Sequence, residues 1–413
     1  MPWLEVIGTQ EAGLADLSSE LIDKVTAARL VIGPARLTDD VVRLPGFRGE
    51  IMDWPQPFLD IIPLLKARAG DAVVVLATGD PLWYGAASTL IRSFSADEMQ
   101  ITPAASGFQL AASRMGWPLH DCACLTVHGR PHEKVIRHLA PGARLLILAH
   151  DSGSAARIAS LLDMAGYGAA MVTALGHIGG INESRDQAAA ADWAESRLTP
   201  PDFHVIAVAC PAQVSGYLQL SPGLADSAFD SDGKLTKAET RAASLARLKP
   251  QPLGLLWDLG CGSGAIGIEW MRAAHEARAI GVDLRQDRLD VARGNAARLG
   301  TPEWQGLCLD LPAGLDDLAD PDAVFIGGGL SHDLAAIAMA RLVAGGRLVV
   351  NTVTLESEQI LLDLWQQHGG DLIRLAISRA DPVGPLHGWR PLMPVTQWVW
   401  EKPLSETSSG VGT

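Results

Sequence analysis

Short apolar runs alternate with helix-like segments along the N-terminal half of the chain. Runs of β-branched and apolar residues predict strands at Leu4–Ile7, Leu30–Ile32, Ala72–Leu76, Met99–Thr102, Arg144–Leu148, Ala170–Ala174 and His204–Ala209. The 3.6-residue pattern predicts helices at Ser18–Ala27, Gly85–Ser93, Gly107–Met115 and Ser154–Ala165. This alternation is typical of an α/β fold with a largely parallel sheet.

The alternation of strand and helix patterns stops between Gln213 and Lys234, where loop-forming residues cluster. This break predicts a domain boundary. A helix at Lys237–Leu248 then opens a second α/β alternation. Strands are predicted at Leu253–Trp257, Ala279–Val282, Gly306–Leu309, Ala323–Ile326, Arg347–Val350, Leu372–Ser378 and Thr396–Glu401, and helices at Gly264–Ala274, Gln286–Leu299, His332–Leu342 and Glu358–His368. No helix separates the last two predicted strands, so we expect an antiparallel edge there. We expect domains at residues 1–215 and 230–402, a linker at 216–229 and a disordered tail at 403–413.

Composition narrows the class of protein. With 413 residues, 48% hydrophobic and 19% charged, the chain suits two or more globular domains, and it has neither a signal-peptide pattern nor an apolar run long enough for a membrane span. The formal net charge of −14 argues against nucleic acid as the main partner, and an anionic ligand would need local cationic groups. Five cysteines are an odd number without metal-site spacing, so we expect reduced thiols, a cytoplasmic location and no metal centre.

The first candidate site is the loop Gly260-Cys261-Gly262-Ser263-Gly264, which follows a predicted strand and precedes a predicted helix. Glycines at this spacing allow a tight turn and a close approach of the backbone to a ligand. Asp258, beside the loop, is a poor neighbour for a pyrophosphate and suits an ammonium group. Asp283, at the end of the next strand, can accept hydrogen bonds from two ribose hydroxyls, and Asp310 is placed near an adenine edge. An amine, a ribose and a base in this order predict S-adenosylmethionine.

A second glycine element, Gly79-Asp80-Pro81, follows the predicted strand Ala72–Leu76. Taken alone, it is a common turn. Farther along, His128 and Arg130 could recognise a substrate carboxylate, because arginine suits bidentate pairing. The alternative for Arg130, a bond to a local carbonyl or acid, remains equally open.

The C-terminal half resembles the class I methyltransferases. The segment 258–264 with Asp283 carries this likeness, and the segments 233–241 and 325–329 resemble the CbiT type of the cobalamin pathway. The resemblance implies a Rossmann-like fold in which Thr236, Gly260–Gly264, Asp283 and Leu311 contact the cofactor.

The N-terminal half resembles a different family, the tetrapyrrole methylases of the CbiE type. The segments 79–85, 103–111, 127–131 and 176–183 carry the likeness, in that order. It implies two α/β lobes, a cofactor loop at Gly79, Asp80 and Leu82, and contacts to the nucleoside from Ser106, Gly107 and His150. The family's early Gly-x-Gly-Pro-Gly loop is absent, since Gly8 is followed by Thr9-Gln10-Glu11, so the resemblance assigns no role to residues 8–13.

The order of the two halves resembles the family of decarboxylating precorrin-6Y C5,C15-methyltransferases. The resemblance implies two S-adenosylmethionine sites per chain, methylation at C5 and C15, loss of the ring C acetate carboxylate and precorrin-8 as the product of this cobalamin-pathway step. We expect an anionic tetrapyrrole as partner, no nucleic acid, no membrane, and a homo-oligomer. Lys237 and Arg241 are one helical turn apart and could hold substrate carboxylates, although a solvated basic face explains them equally well. The alternatives are an NAD-dependent oxidoreductase that uses the C-terminal glycine loop and a non-enzymatic tetrapyrrole carrier.

Overall fold

The chain divides into two structural units. The computed structural model describes residues 2–404. One unit consists of residues up to 132 together with 140–216, and the other of residues 133–139 together with those from 217 onward. The part of the predicted tail from residue 405 lies outside the described residues.

A parallel five-stranded sheet forms the first lobe of the first unit. Its strands are β1 Leu4–Thr9, β2 Leu30–Gly33, β3 Glu50–Asp53, β4 Val73–Thr78 and β5 Met99–Thr102, in the spatial order β3-β2-β4-β1-β5. Both faces are covered, because Val73 and Val75 join one buried cluster while Val74 and Leu76 join the other. The continuous apolar run of β4 is therefore that of a strand buried on both sides.

The second lobe is built on a mixed sheet. Its strands are β6 Cys122–Thr126, β7 Arg144–Leu148, β8 Met171–Gly176, β9 Ser184–Ala189 and β10 His204–Ala209, in the order β6-β7-β10-β8-β9. Only β6 and β7 are parallel, and the other pairs are antiparallel. The expectation of a largely parallel sheet is thus correct for the first lobe and wrong for the second, where β8 reaches β9 through a short loop rather than a helix.

Seven α-helices belong to the described residues of the first unit. They are α1 Ser19–Ala27, α2 Ala35–Val42, α3 Ile61–Ala67, α4 Ala87–Leu90, α5 Gly107–Met115, α6 Ser154–Met164 and α7 Trp193–Ser196. The predicted helix Gly85–Ser93 shrinks to the single turn α4, because Tyr84 has a φ of +58° and a Cβ at Gly85 would lie 2.6 Å from the Pro81 carbonyl oxygen. The segment 79–85 is therefore a tight loop rather than the start of a helix.

The second unit contains a seven-stranded sheet and a separate hairpin. The strands are β11 Leu255–Leu259, β12 Arg278–Asp283, β13 Gln305–Cys308, β14 Ala323–Ile326, β15 Arg347–Thr352, β16 Asp371–Leu375, β17 Ser378–Val383, β18 Leu386–Pro391 and β19 Val395–Glu401. The sheet order is β13-β12-β11-β14-β15-β19-β16, and β17 pairs with β18. The antiparallel pairing of β16 with β19 confirms the predicted edge, and the hairpin β17–β18, which was not predicted, fills the chain between them.

Helices cover both faces of this sheet. They are α8 Ala238–Leu248, α9 Ala265–Ala273, α10 Gln286–Arg298, α11 His332–Arg341 and α12 Leu355–His368. Along β11, Trp257 and Leu259 point into one core and Leu256 into the other. Short 3₁₀ turns complete the described chain at Gly13–Asp16, Phe58–Asp60, Leu119–Asp121, His132–His138, Asp226–Ala228 and Leu315–Asp317. No helix between residues 2 and 404 has the length and apolar character that a bilayer crossing requires.

Candidate active sites

The first candidate site lies where β1 and β4 end, at the carboxyl edge of the parallel sheet. The Gly79 N–H donates to the Thr9 carbonyl oxygen at 2.6 Å. Gly79 has a φ of +72°, and a Cβ there would lie 3.3 Å from the Ser106 Cα. The backbone of this loop therefore needs glycine, and it lies beside the start of α5.

Local hydrogen bonds fix the predicted cofactor loop. The Asp80 carboxylate accepts from the Leu82 N–H at 2.9 Å, which sets the turn through Pro81, and the Leu82 side chain is exposed. Ser106 is the N-cap of α5 in a reciprocal capping box with Gln109. Gly107 packs tightly, because a Cβ there would lie 3.1 Å from Val205. The fold thus brings the loop 79–82 and residues 106–107 together.

His128 lies beside His150, and Arg130 contacts the loop 79–85. The rings of His128 and His150 are 5.3 Å apart, and the Gly129 N–H donates to Nδ1 of His150 at 3.4 Å. The Arg130 guanidinium lies 5.3 Å from the Tyr84 ring, a cation–π geometry. Because Tyr84 belongs to the loop 79–85, the cationic group and the cofactor loop line the same part of the first unit.

A pair of side chains that sequence reasoning missed lies near this loop. Oε1 of Glu11 is 3.0 Å from Nδ1 of His177. Glu11 and His177 are 166 residues apart in the sequence, and no local sequence pattern links them. The absence of the usual glycine-rich loop at residues 8–13 was the signal that could have directed attention to Glu11.

The second candidate site is the glycine loop between β11 and α9. Gly260, Gly262 and Gly264 have φ values of +74°, +54° and +75°, and a Cβ at Gly260 would lie 2.9 Å from the Gly328 nitrogen. Apart from Gly262 and its two chain neighbours, no atom of the described residues lies within 4 Å of the position that a Cβ of Gly262 would take. One side of the loop is thus packed against the segment 327–329, while the backbone at Gly262 is open to a ligand.

Asp283 is held rigidly beside this loop. It ends β12, where one carboxylate oxygen accepts from the Gly262 N–H and the other from the Arg285 N–H, both at 3.0 Å. Nη1 of Arg288 lies 3.8 Å from Asp283, and Asp232 accepts from the same guanidinium. The sequence predicted Asp283 and missed its support by Asp232 and Arg288.

Asp258 differs from its predicted environment. The strand β11 extends to Leu259, so Asp258 lies inside the strand and is only 1% exposed, with Oδ2 accepting from the Gly267 N–H at 3.0 Å. Desolvation in this interior raises the pKa of the Asp258 carboxyl to about 7, and the nearby Asp283 adds to the rise. Asp258 is therefore a buried residue that holds the start of α9 through the Gly267 N–H. It does not lie exposed beside the loop, where it was expected to contact the ammonium group of a ligand.

The other residues of the loop are also packed. Burial raises the pKa of the Cys261 thiol far above its usual range, so this thiol stays protonated. Ser263 is buried, and its carbonyl oxygen accepts from Asn295 at 3.0 Å. Both residues offer a ligand their backbone rather than a reactive side chain.

The remaining predicted cofactor residues surround this loop less closely. The Leu309 N–H donates to the Asp283 carbonyl oxygen at 3.2 Å, which anchors the segment that carries Asp310 and Leu311. Asp310 is exposed and Leu311 is half-buried. Thr236 lies just before α8, and Lys237 is the N-cap of that helix, half-buried.

Arg241 is not on a basic surface, which corrects the prediction that it holds substrate. Its side chain is fully buried, Nε donates to Glu269 at 2.7 Å, and Nη1 donates to the Thr236 carbonyl oxygen at 2.5 Å. The guanidinium also lies 4.8 Å from the Phe229 ring. A helical pattern shows that Lys237 and Arg241 share a face of α8, but it does not show that this face packs inward near Arg241.

Two protein-family models each match one part of the chain. Residues 12–181 match the tetrapyrrole (corrin/porphyrin) methylases, and residues 227–402 match the precorrin methyltransferase domain. A precorrin-6Y C(5,15)-methyltransferase [decarboxylating] of Sinorhizobium sp is 41% identical over 402 residues, which cover 97% of each chain. The chain belongs to the precorrin-6Y C(5,15)-methyltransferase (decarboxylating) family.

A second full-length relative agrees with this membership, and the chain is also similar to a solved structure. A protein of the same name from Mycobacterium tuberculosis is 35% identical and covers 95% of this chain and 98% of its own length. The crystal structure of the C-terminal domain of precorrin-6Y C5,15-methyltransferase from Rhodobacter capsulatus is 41% identical, covers 45% of this chain and all of that domain, and has a TM-score of 0.43. The two full-length relatives confirm the prediction of a two-part methyltransferase, and the alternative of an NAD-dependent oxidoreductase finds no support.

Proposed function

We propose that this chain methylates precorrin-6Y at C5 and C15 and removes carbon dioxide from the ring C acetate, giving precorrin-8. The observation that carries the proposal is the full-length likeness to relatives of that name, together with two separate glycine loops, of which the C-terminal one leaves the backbone at Gly262 open. We assign C5 methylation to the domain at residues 1–215, and C15 methylation with decarboxylation to the domain at 230–402.

The residues at both loops suit S-adenosylmethionine, which when bound supplies a methyl group on a positively charged sulfur. In the C-terminal site, each Asp283 oxygen accepts one backbone N–H and keeps a lone pair for a ribose hydroxyl. Gly260 and Gly264 let the backbone turn around the ligand, with Cys261, Ser263, Asp310, Leu311 and Thr236 nearby. In the N-terminal site the loop 79–82 would take the same role, with Ser106, Gly107 and His150 around the nucleoside.

The chemistry asks for orientation and exclusion of water. A meso carbon of a reduced tetrapyrrole is an enamine-like nucleophile, so correct placement alone can supply roughly 7–11 kcal/mol of the barrier. For the decarboxylation, the conjugated macrocycle accepts the electron pair. In the domain at 230–402 the protein then has to hold the other carboxylates, and we propose Lys237 for this, while Arg241 is excluded by its burial. In the domain at 1–215 we propose His128 and Arg130 as the residues that hold substrate carboxylates during the C5 methylation.

The setting of the enzyme is part of the proposal. All five cysteines are free thiols, which supports a cytoplasmic location. No helix among residues 2–404 is long and apolar enough to cross a bilayer. The net charge of −14 supports a small-molecule partner bound by local cations rather than a nucleic acid. A homo-oligomer remains a prediction from the sequence.

The deciding experiment is a mass balance. The full chain is incubated with precorrin-6Y and S-adenosylmethionine carrying an isotopically labelled methyl group, and the products are analysed by mass spectrometry. We expect a gain of two labelled methyl groups and a loss of one carbon dioxide per macrocycle. A product with only one added methyl group, or one that keeps all of its carboxylates, would contradict the proposal.

A further inference from the structure

Glu11 and His177 meet at the carboxyl ends of two strands in the first unit. Glu11 follows β1, and His177 follows β8. Oε1 of Glu11 lies 3.0 Å from Nδ1 of His177. The Glu11 side chain is 14% exposed, and the His177 side chain is 34% exposed. The carboxylate is thus mostly enclosed, while the imidazole is partly accessible from outside.

Each member of the pair is kept in an unfavourable state. His177 has a φ of +44°, a left-handed conformation that non-glycine residues seldom adopt. Oε2 of Glu11 is buried without a hydrogen-bond partner among residues 2–404, which is also unfavourable. Such features persist mainly where activity requires them.

The loop after His177 is fastened against Glu11. A Cβ at Gly180 would lie 2.4 Å from the Cγ of Glu11, so only glycine allows this approach. The Gly179 N–H donates to Glu183 at 2.8 Å, and Glu183 is paired with Arg114 of α5. The position of His177 opposite Glu11 is therefore set by several bonds and not by one contact.

The pair is also linked to the proposed cofactor loop. Arg36 of α2 donates to the Glu11 carbonyl oxygen at 3.0 Å and to the Thr78 hydroxyl at 2.9 Å. Thr78 immediately precedes Gly79, whose N–H is bonded to Thr9. Glu11 and the loop at Gly79 are thus parts of one hydrogen-bonded assembly.

We propose that His177 is the general base of the C5 methylation and that Glu11 is its positioning partner, an assignment that rests on the proposed function. Because a carboxylate only accepts, the proton of the imidazole is on Nδ1, and Nε2 keeps its lone pair. The enclosed carboxylate also stabilises the imidazolium that forms when Nε2 takes up a proton, which is the role of the acid in a catalytic carboxylate–histidine pair.

The step is balanced in atoms and electrons. As C5 attacks, the C5–CH₃ bond forms and the S–CH₃ bond breaks, leaving its electron pair on sulfur and a positive charge on the macrocycle. The C5–H bond then breaks, its electron pair restores the conjugation, and the proton passes to Nε2 of His177. The imidazolium releases that proton to water after the product leaves.

Several charged groups surround the pair and bear on its pH dependence. Arg36 contacts the backbone of Glu11, and Asp40 of the same helix lies beside Gly13. Glu183 and Arg114 form an ion pair on the side of the 177–180 loop. These flanking groups are two carboxylates and two guanidiniums, and neither kind offers an imidazole nitrogen as a proton acceptor.

His177→Asn is the sharpest test in the full-length enzyme. Asparagine tolerates the left-handed backbone better than most residues and keeps an amide donor for Glu11, but it cannot act as a base. We expect C5 methylation to fall about 10²–10⁴-fold, while binding of S-adenosylmethionine and the thermal midpoint stay near the wild-type values.

Glu11→Gln should also slow this step, and the exposed His120→Asn should not. In the wild type the C5 rate should fall as the pH is lowered, and His177→Asn should lack this dependence.

The outcomes separate the possible failures. A His177→Asn enzyme that keeps C5 methylation within a few-fold of the wild type overturns the assignment. Loss of S-adenosylmethionine binding or of thermal stability in both His177→Asn and Glu11→Gln also overturns it, because the pair would then be structural. If the wild type itself adds no methyl group at C5, the proposed function fails, and this assignment fails with it.

Discussion

Asp283 is the residue on which we expect the proposed C-terminal site to depend most. Both of its oxygens are fixed by backbone N–H groups, from Gly262 and Arg285, so it is aligned before any ligand binds. Asp283→Ala removes a carboxylate that we expect to accept two hydroxyl hydrogen bonds, each worth about 1.5–3 kcal/mol when one partner is charged. We expect C15 methylation and decarboxylation to be lost while C5 methylation continues, measured by product mass.

The control for this variant is Asp290→Ala on α10, since Asp290 is exposed and pairs with Arg293. It should leave both methylations unchanged. A loss of C5 methylation together with C15 methylation in Asp283→Ala would show that the two sites are not independent.

Asp258 gives a prediction about pH. Its pKa in the folded chain is about 7, against an ordinary value of 3.8, so the folded state holds a proton that the unfolded chain has already released between these pH values. The stabilisation is therefore complete below pH 3.8 and is lost as the pH rises to about 7, by roughly 4 kcal/mol at most. Asp258→Asn keeps an oxygen for the Gly267 N–H but cannot ionise. We expect the wild type to lose stability relative to Asp258→Asn over this interval in urea unfolding at a series of pH values.

The comparison with an exposed acid makes this test specific. Asp290→Asn should run parallel to the wild type across the same range. Parallel curves for Asp258→Asn as well would mean that the Asp258 carboxyl titrates normally in the folded chain.

These two aspartates show what local sequence can predict at the scale of single residues. The glycine triplet follows β11 and Asp283 ends the parallel neighbour β12, so their proximity follows from a strand–helix–strand pattern that the sequence shows. Asp258 was placed at an exposed strand end because the strand was predicted to stop at Trp257, whereas β11 continues to Leu259. The strand ends two residues later than predicted, and α9 packs over it. Asp258 is therefore a buried residue that holds α9 and not an exposed residue that contacts a ligand.

At the scale of elements, Arg241 joins α8 to the segment that precedes it. With Glu269 of α9 it binds the backbone of that segment at four points, through the N–H groups of Gly223 and Leu224 and the carbonyl oxygens of Leu224 and Thr236. Asp226 adds a bond to the first turn of α8 and an ion pair with Arg379 at the base of the hairpin β17–β18. The fold thus uses a buried ion pair to order the segment 223–236, which carries Thr236.

This arrangement predicts a large difference between two arginines of one helix. Arg241→Met leaves Glu269 buried without its partner, which typically costs about 3–5 kcal/mol. Arg247→Met breaks only an exposed pair with Asp371, worth about 0–1 kcal/mol. We expect Arg241→Met to lower the thermal midpoint strongly and to increase cleavage by protease within residues 223–236. Equal midpoints for the two variants would show that Glu269 finds another partner.

The same element shows why pattern alone missed this role. The helix was predicted at Lys237–Leu248 and is found at Ala238–Leu248, so its existence and bounds were clear from the sequence. Its partner Glu269 lies 28 residues away, and only the packing of α8 on α9 brings them together. Strands β3 and β9 were missed for a related reason, since Glu50–Asp53 and Ser184–Ala189 have few fully buried side chains and take their place through pairing with β2 and β8.

At the scale of the whole molecule, the net charge of −14 opposes the binding of a polycarboxylate. Binding of the polycarboxylate must therefore depend on local groups that attract carboxylates. These are the backbone N–H groups of the glycine loops, the N-termini of helices and the few cationic side chains that face inward. We propose that the two glycine loops serve two cofactor sites, each of which depends on its own glycine backbone.

The two sites can be counted and removed one at a time. Calorimetric titration should give two equivalents of S-adenosylmethionine per chain. Gly79→Ala forces a side chain onto a φ of +72° in the first loop, and Gly260→Ala does so at +74° in the second, where the Cβ would also lie 2.9 Å from Gly328. We expect each variant to bind one equivalent. Gly294→Ala, in the middle of α10 with open space around it, should bind two and be slightly more stable. One equivalent in the wild type would contradict the two-site enzyme, and loss of both equivalents in either loop variant would mean that the sites are coupled rather than separate.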